Sequence, residues 1–178
     1  MWWHNVRIAP HLLLLTATLT LVACGFHLRG HGGPVELAFK SVYLKTAGET
    51  PFVIDLRNGL LANKVEVSES AETASITLDI VSESSDKQIL SLSTAGKVLE
   101  YQLRYRVELR AYDKQLHTWM PRQEILLTRT LTYDDAQLLA KQQEEALLFK
   151  DLRTDAVQQT LRRLSRAKPA KEEDAPAK

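Results

Sequence analysis

The chain has 178 residues, and its 23 basic and 22 acidic side chains give a formal net charge of +1. A balance this close excludes a general attraction to nucleic acid, so any anionic ligand must be bound by a local patch. The length and the hydrophobic content of 44% indicate one globular domain of ordinary size with a single core.

The N-terminal segment has the pattern of a secretory signal. One positive charge, Arg7, precedes a mostly apolar run over residues 8–22. This run is shorter than the about 20 residues that a membrane-spanning helix needs, and it fits the n- and h-regions of a signal peptide. It ends in LVAC, which resembles the lipobox cut by signal peptidase II. The sequence therefore predicts a lipoprotein signal peptide over residues 1–23 and lipidation of Cys24. A free thiol or an intermolecular disulfide is the alternative for this single cysteine.

Two further segments lack the apolar residues of a core. Residues 24–34 are rich in Gly and His and are predicted to be a lipidated tether. Residues 167–178, AKPAKEEDAPAK, are predicted to be a disordered tail. The folded domain is therefore predicted over residues 35–166. Gly follows the cysteine where many inner-membrane lipoproteins have Asp, and this resemblance indicates transport to the outer membrane.

The first half of the domain predicts a strand, a helix and further strands. Residues 39–45 predict a strand, and Thr50-Pro51 supplies an N-cap and a first-turn proline for a helix over residues 52–63. Further strands are predicted over residues 65–68, 75–82 and 88–93, with turns at 84–87 and 94–97.

The clearest strand signal is EYQLRYRVELRAY, which begins at Glu100. Its residues alternate between apolar and polar, which is typical of a strand with one buried and one solvated face. The apolar set is Tyr101, Leu103, Tyr105, Val107, Leu109 and Ala111. A loop over residues 113–121 and a strand over residues 122–133 are predicted to follow.

Leucines at helical spacing predict one long helix from about residue 134 to residue 165, which Asp134 or Asp135 can cap. The elements together predict an α+β fold. We expect a two-layer sandwich in which two helices pack on one face of a mostly antiparallel four-stranded sheet. The charged face of the sheet would stay open to solvent or to a partner.

The sequence shows no catalytic pattern. It contains no GxSxG, P-loop, HExxH or CxxC motif, and no nucleophile has an evident base. His117 is alone in a predicted loop and is interpreted as a solvated residue. Asp134 and Asp135 are interpreted as helix caps. We predict a protein that is not an enzyme and has neither a metal site nor a cofactor.

Three segments resemble the family of LPS-assembly lipoproteins called LptE: CGFHLRG at the predicted mature start, EYQLRYRVELRAY, and RTLTYDDAQLLAKQQEEALLFKDLRTDAVQQTLRRL. The resemblance implies an outer-membrane lipoprotein of Gram-negative bacteria with two helices against a four-stranded sheet. It implies a one-to-one complex in which the lipoprotein is a plug in the lumen of the β-barrel protein LptD. It also implies roles in assembling that barrel and in binding lipopolysaccharide (LPS) for insertion into the outer leaflet.

The resemblance points to three basic residues as candidates for binding LPS phosphates: Arg129, Lys141 and Lys97. Arg129 shares a predicted strand face with apolar residues, so it requires an edge position, a buried ion pair or a ligand. Lys97 lies in a turn, STAGK, whose charge is displaced relative to the family pattern. A solvated or ion-paired surface charge is the alternative for each of the three.

Arg104, Arg106 and Arg110 form a stripe on the polar face of the strong strand and are candidates for a partner surface. Glu100 and Glu108 lie on the same face and offer salt bridges instead. Leu90 and Leu92 are predicted to be buried in an ordinary strand. If exposed, they would be free to meet acyl chains or a barrel wall.

Two other functions compete with the role that the resemblance implies. The chain would instead be an accessory outer-membrane lipoprotein of another transport or secretion complex, and no large barrel would then co-purify with it. A lipid-anchored periplasmic enzyme would need a cleft with a perturbed acid or base, for which the sequence offers no candidate.

Overall fold

The structure, a computed structural model, describes residues 37–169. The predicted signal peptide, Cys24, the tether and residues 170–178 of the predicted tail lie outside the described residues. The tail prediction is wrong at Ala167, which is only 5% exposed and belongs to the core. Its backbone N–H donates to the Leu164 carbonyl at 3.1 Å and closes a turn directly after the last helix.

Two helices and five strands form the described part of the chain. In chain order they are β1 (Ser41–Lys45), α1 (Pro51–Ala62), β2 (Glu66–Ser68), β3 (Ile76–Leu92), β4 (Val98–Asp113), β5 (Thr118–Thr132), a 3-10 turn (Asp135–Gln137) and α2 (Leu138–Leu164). Neither helix combines the length and the apolar character that crossing a membrane would require.

The five strands form one mixed sheet in the order β2-β1-β3-β4-β5. β1 is parallel to both of its neighbours, β2 and β3, whereas β4 is antiparallel to both β3 and β5. The predicted α+β class is confirmed, but the predicted count of four strands is wrong. The chain crosses from β1 through α1 to the three-residue β2, and this βαβ connection adds a short parallel strand at one edge.

The predicted turn at residues 84–87 is also wrong, because β3 runs without a break for 17 residues. Ser84 pairs with Arg106 and Asp86 pairs with Arg104 in the antiparallel ladder with β4. The predicted loop at residues 113–121 is shorter than expected, since β5 begins at Thr118. β3 and β4 therefore form a hairpin much longer than the sequence suggested.

Both helices pack on the apolar face of the sheet. The Thr50 hydroxyl accepts the Val53 N–H at 3.3 Å, so the predicted N-cap of α1 is confirmed. α2 continues unbroken for 27 residues, as its spacing of leucines indicates. The buried helix residues are Phe52, Val53, Leu56 and Leu60 of α1 and Leu152, Ala156, Val157, Thr160, Leu161 and Leu164 of α2. They meet the buried faces of the strands in a single core.

This core covers only part of the long hairpin. Burial along β3 ends at Ile80. The Thr50 hydroxyl at the start of α1 donates to the Glu83 carboxylate at 2.5 Å, so α1 begins over Glu83. The rest of β3 extends past α1, and the structure leaves the end of the hairpin open to solvent.

Candidate functional site

The candidate site is the end of the β3–β4 hairpin, residues 89–99, which we call the tip. The Ser93 N–H donates to the Lys97 carbonyl at 2.7 Å, and the Gly96 N–H donates to the Ser93 carbonyl at 3.0 Å. Gly96 has φ +75°, a conformation that glycine adopts without the steric cost of a side chain. The predicted turn at residues 94–97 is therefore confirmed, and Lys97 closes it opposite Ser93.

Large apolar side chains flank this turn and are exposed. They are Ile89 (57% exposed), Leu90 (47%), Leu92 (54%) and Leu99 (45%). The predicted burial of Leu90 and Leu92 is wrong, because both lie beyond the part of β3 that belongs to the core. Four exposed aliphatic residues at one end of a domain are more than scattered surface residues, and such clusters typically mark a binding site.

Lys97 is an exposed cation in this apolar setting. Its backbone N–H donates to the Ser93 hydroxyl at 3.1 Å. Within residues 37–169, no carboxylate forms an ion pair with its ammonium group. A free ammonium between aliphatic side chains suits a ligand that carries both a phosphate and hydrocarbon.

Behind the tip, a polar and aromatic cluster joins the hairpin to α2. The Lys87 ammonium lies 2.6 Å from the Glu145 carboxylate and 4.8 Å from the centre of the Tyr101 ring. Tyr101 meets Tyr133 edge to face at 5.2 Å between ring centres. Burial, followed by the nearby Asp135 carboxylate, raises the pKa of Tyr133, so its hydroxyl stays neutral. These contacts tie the base of the tip to the start of α2.

Lys141 lies on this side of the molecule, one helical turn nearer the tip than Glu145. Its ammonium is 2.8 Å from the Glu144 carboxylate, and its side chain is 16% exposed. Because Lys141 is ion-paired and mostly covered, it has less freedom than Lys97 to reach a ligand. Its role in binding LPS stays a prediction.

Arg129 is separate from the other two candidates. It lies on the edge strand β5, where its guanidinium forms an ion pair with Asp155 at 2.6 Å and donates to the Thr128 carbonyl at 3.1 Å. Asp155 is 14 residues beyond Lys141 on α2, which is about 21 Å along the helix axis. Of the three explanations for an arginine on this face, the structure favours the edge position with an ion pair.

The open face of the sheet carries the predicted arginine stripe, but each arginine has a carboxylate partner. Arg104 pairs with Asp86 at 2.8 Å, Arg106 with Glu124 at 3.3 Å and Arg110 with Asp79 at 2.9 Å. Arg122 forms a further pair with Glu108. The surface is thus polar and balanced in charge. The alternating sequence predicted its polar character, and the structure identifies the ion-pair partner of each arginine.

The remaining predicted polar residues have structural partners. Asp134 accepts the Ala136 N–H at 3.0 Å and caps the 3-10 turn. The long helix begins only at Leu138 and has no side-chain cap, so the prediction that Asp134 or Asp135 caps it is wrong. The His117 ring is 52% exposed, but it also contacts the Asp113 carboxylate at 3.1 Å. The part of the chain that the structure describes contains no cluster of three or more groups suited to a metal ion.

Comparison with known proteins gives a consistent result. The family model "LptE: Lipopolysaccharide-assembly" matches residues 39–164, more than half of the chain. The LPS-assembly lipoprotein LptE of Yersinia pestis (strain Pestoides F) is 31% identical over 155 residues, covering 86% of this chain and 73% of that protein. The LptE of Pectobacterium atrosepticum is 28% identical over 160 residues, covering 86% of this chain and 83% of its own length.

Solved structures share the fold. A lipoprotein B from Nitrosomonas europaea superposes with a TM-score of 0.69 at 39% identity, covering 77% of this chain and 89% of its own. The rare lipoprotein B from Shewanella oneidensis gives a TM-score of 0.61 at 27% identity, covering 68% and 91%. Sequence and fold agree that this chain belongs to the LptE family of lipopolysaccharide-assembly lipoproteins.

Proposed function

We propose that this protein is the lipidated plug subunit of an outer-membrane LPS translocon. Acylation at Cys24 anchors it to the outer membrane. The folded domain lies in the lumen of the barrel protein LptD in a one-to-one complex and assists assembly of that barrel. The tip of the β3–β4 hairpin binds LPS on its way to the outer leaflet.

The observation that carries this proposal is the composition of the tip. LPS combines phosphorylated sugars with acyl chains, so a binding surface needs cations beside exposed apolar groups. Lys97 supplies a free cation, and Leu90, Leu92, Leu99 and Ile89 supply the apolar surface. Because the tip extends beyond α1, a ligand can approach it without unfolding the core.

The open face of the sheet supports a position inside a barrel. Lumen-facing positions of membrane barrels are polar, and a plug that meets them needs a polar surface without a large excess of one charge. The paired arginines and carboxylates of β3, β4 and β5 provide such a surface.

The first test is a pull-down of the C-terminally tagged chain from native outer membranes. We expect a stoichiometric large β-barrel and bound LPS in the eluate. Recovery of the lipoprotein alone, or with a soluble periplasmic partner, would contradict the proposal and favour an accessory lipoprotein of another complex.

Matched variants then test the tip. Lys97→Glu and Leu92→Ser should each lower the LPS recovered per lipoprotein several-fold while leaving the barrel bound. The controls are Lys64→Glu, in the exposed turn after α1, and Leu61→Ser, whose side chain is 53% exposed against 54% for Leu92. Equal loss of LPS in the tip variants and their controls would show that the tip is not the binding surface.

A further inference from the structure

The two edges of the sheet differ in the length of strand that they expose. β2 forms one edge and has only three residues, whereas β5 forms the other edge and has 15. In the described part of the chain, β5 pairs with β4 and with no other strand. A long edge strand presents a row of backbone N–H and C=O groups to which another extended chain can bind. β5 is therefore the edge at which the sheet can be extended.

The phase of the ladder shows which residues of β5 point away from the sheet. The Tyr133 N–H, directly after β5, donates to the Leu99 carbonyl at 2.8 Å, so the backbone of Tyr133 faces β4. The register between β4 and β5 shifts only near the start of β5. In an antiparallel pair, successive residues alternate between bonding the neighbouring strand and facing outward. The outward residues of this half of β5 are therefore Leu126, Thr128 and Thr130.

The first half of β5 is protected against the addition of a strand. Arg163 of α2 donates to the Glu124 carbonyl at 2.9 Å and so occupies an outward acceptor. Pro121 and the nearby shifts of register interrupt the edge further. Proline, charged side chains and bulges are common means by which proteins protect the edges of sheets. An added strand is thus unfavourable up to Glu124.

The second half of β5, residues 126–132, contains neither proline nor lysine. Its exposed residues are Leu126, Thr128, Arg129, Thr130 and Thr132. Threonine is β-branched and favours extended backbone. Arg129 donates to the Thr128 carbonyl at 3.1 Å, but no group in the described chain bonds the outward N–H and C=O groups of Leu126 and Thr130. This segment of about 23 Å is an open template for a further strand.

The chemistry of the edge identifies its occupant as an extended polypeptide, because only a backbone offers donors and acceptors at the repeat of a strand. In the one-to-one complex proposed above, the barrel protein is the only other polypeptide. The wall strands of a closed barrel are already paired on both sides, so the added strand must come from a loop that enters the lumen. The charged residues beside the edge, Arg104, Arg106 and Arg129, are ion-paired, and an uncharged segment therefore fits it.

We propose that residues 126–132 of β5 bind an extended lumen loop of LptD, which joins the sheet as a sixth strand. This inference rests on the proposed function, because it takes the barrel protein as the partner. Backbone hydrogen bonds supply the binding, and β-branched side chains of the loop pair with Thr128 and Thr130 on the open face. The added strand fixes the plug to the barrel at one edge of its sheet.

The test is amide hydrogen exchange at single-residue resolution, measured on the full acylated lipoprotein alone and in its purified complex with the barrel. The outward N–H groups of Leu126, Thr128 and Thr130 should exchange rapidly in the free protein and about tenfold or more slowly in the complex. The N–H groups of Leu127 and Arg129, which face β4, are the internal control and should exchange slowly in both samples.

Matched substitutions at one position separate the backbone from the side chain. Thr130→Pro removes an outward N–H that the ladder with β4 does not use, and edge strands tolerate proline at such positions. Thr130→Val keeps the N–H and the β-branched shape. Thr130→Pro should lower the barrel recovered per lipoprotein several-fold, whereas Thr130→Val should leave it unchanged. Urea unfolding of both variants verifies that each is folded.

The outcomes distinguish this inference from the proposed function. Rapid exchange of the outward amides in a complex that contains the barrel, or equal recovery of the barrel with both variants, would overturn the strand addition alone. Slow exchange of these amides in the free lipoprotein would show that this chain or a second copy already occupies the edge, and it would also overturn the strand addition. Absence of a barrel from the wild-type sample would overturn the proposed function together with this inference.

Discussion

A single carboxylate joins both layers of the fold, and this makes Tyr105→Phe an informative substitution. The Tyr105 hydroxyl donates to one oxygen of Glu83, and the Thr50 hydroxyl donates to the other. Burial, and then the Glu83 carboxylate, raise the pKa of Tyr105 far above its usual value, so the hydroxyl is a donor at any working pH. Hydrogen bonds to charged groups contribute about 1.5–3 kcal/mol. Because Glu83 is only half-buried, we expect Tyr105→Phe to lower the free energy of unfolding by about 1–2 kcal/mol.

This loss corresponds to a decrease in Tm of about 3–6 °C for a domain of this size. Urea unfolding followed by circular dichroism at pH 7 measures it. Tyr43→Phe is the control, since the described residues provide its hydroxyl with no hydrogen bond. In a protein that already carries Glu83→Ala, Tyr105→Phe should lower the free energy of unfolding much less. Equal effects of Tyr105→Phe and Tyr43→Phe, or an unchanged cost in that background, would refute the role of the Glu83 bond.

Three further predictions concern stability. Leu116, in the turn between β4 and β5, has φ +66° and is 74% exposed. Leu116→Gly should therefore raise the free energy of unfolding by about 1 kcal/mol, because it relieves the left-handed strain at little cost in burial; a lower free energy in urea unfolding would contradict this. The Asp113 carboxylate accepts the backbone N–H groups of Gln115 and His117, each at 2.9 Å. Burial alone would raise its pKa, but the bonds from His117 outweigh burial and lower the pKa. The free energy of unfolding of wild type should therefore exceed that of Asp113→Asn by the largest amount near neutral pH. This difference should disappear as the pH falls below the ordinary value of 3.8 and through the lowered folded pKa; a difference that persists at pH 2 would contradict the assignment. Gly59→Val should destabilise the domain by about 1–3 kcal/mol, because a Cβ there would lie 2.9 Å from Leu161 Cδ1. Gly48→Val is its control, because no atom lies within 4 Å of the position that a Cβ at Gly48 would take.

The two ends of the sheet differ in the chemistry they offer. The tip carries a free lysine among aliphatic residues, and the other end carries Leu116 beside paired arginines. The length of β3, which the predicted turn at residues 84–87 would have halved, places these two ends about 50 Å apart.

Local patterns were sufficient for much of the fold. Thr50 and Pro51 predicted the start of α1, the leucine spacing predicted one unbroken α2, and strict alternation predicted which face of β4 is buried. Each of these features depends on neighbours within a few residues along the chain, so the sequence alone specifies them. The family resemblance also rested on local segments, and the comparisons confirm it.

Other features depend on partners that are distant in sequence, and only the tertiary structure decided them. Residues 84–87 have the composition of a turn, yet they form a strand because β4 satisfies their backbone groups. Leu90 and Leu92 are exposed because α1 begins over Glu83 and leaves the tip uncovered. Arg129 lies on the edge strand β5, and its guanidinium is ion-paired because Asp155, 26 positions later in the chain, lies within reach of it. Pairing and coverage are properties of the assembled layers, and no local pattern records which groups those layers will bring together.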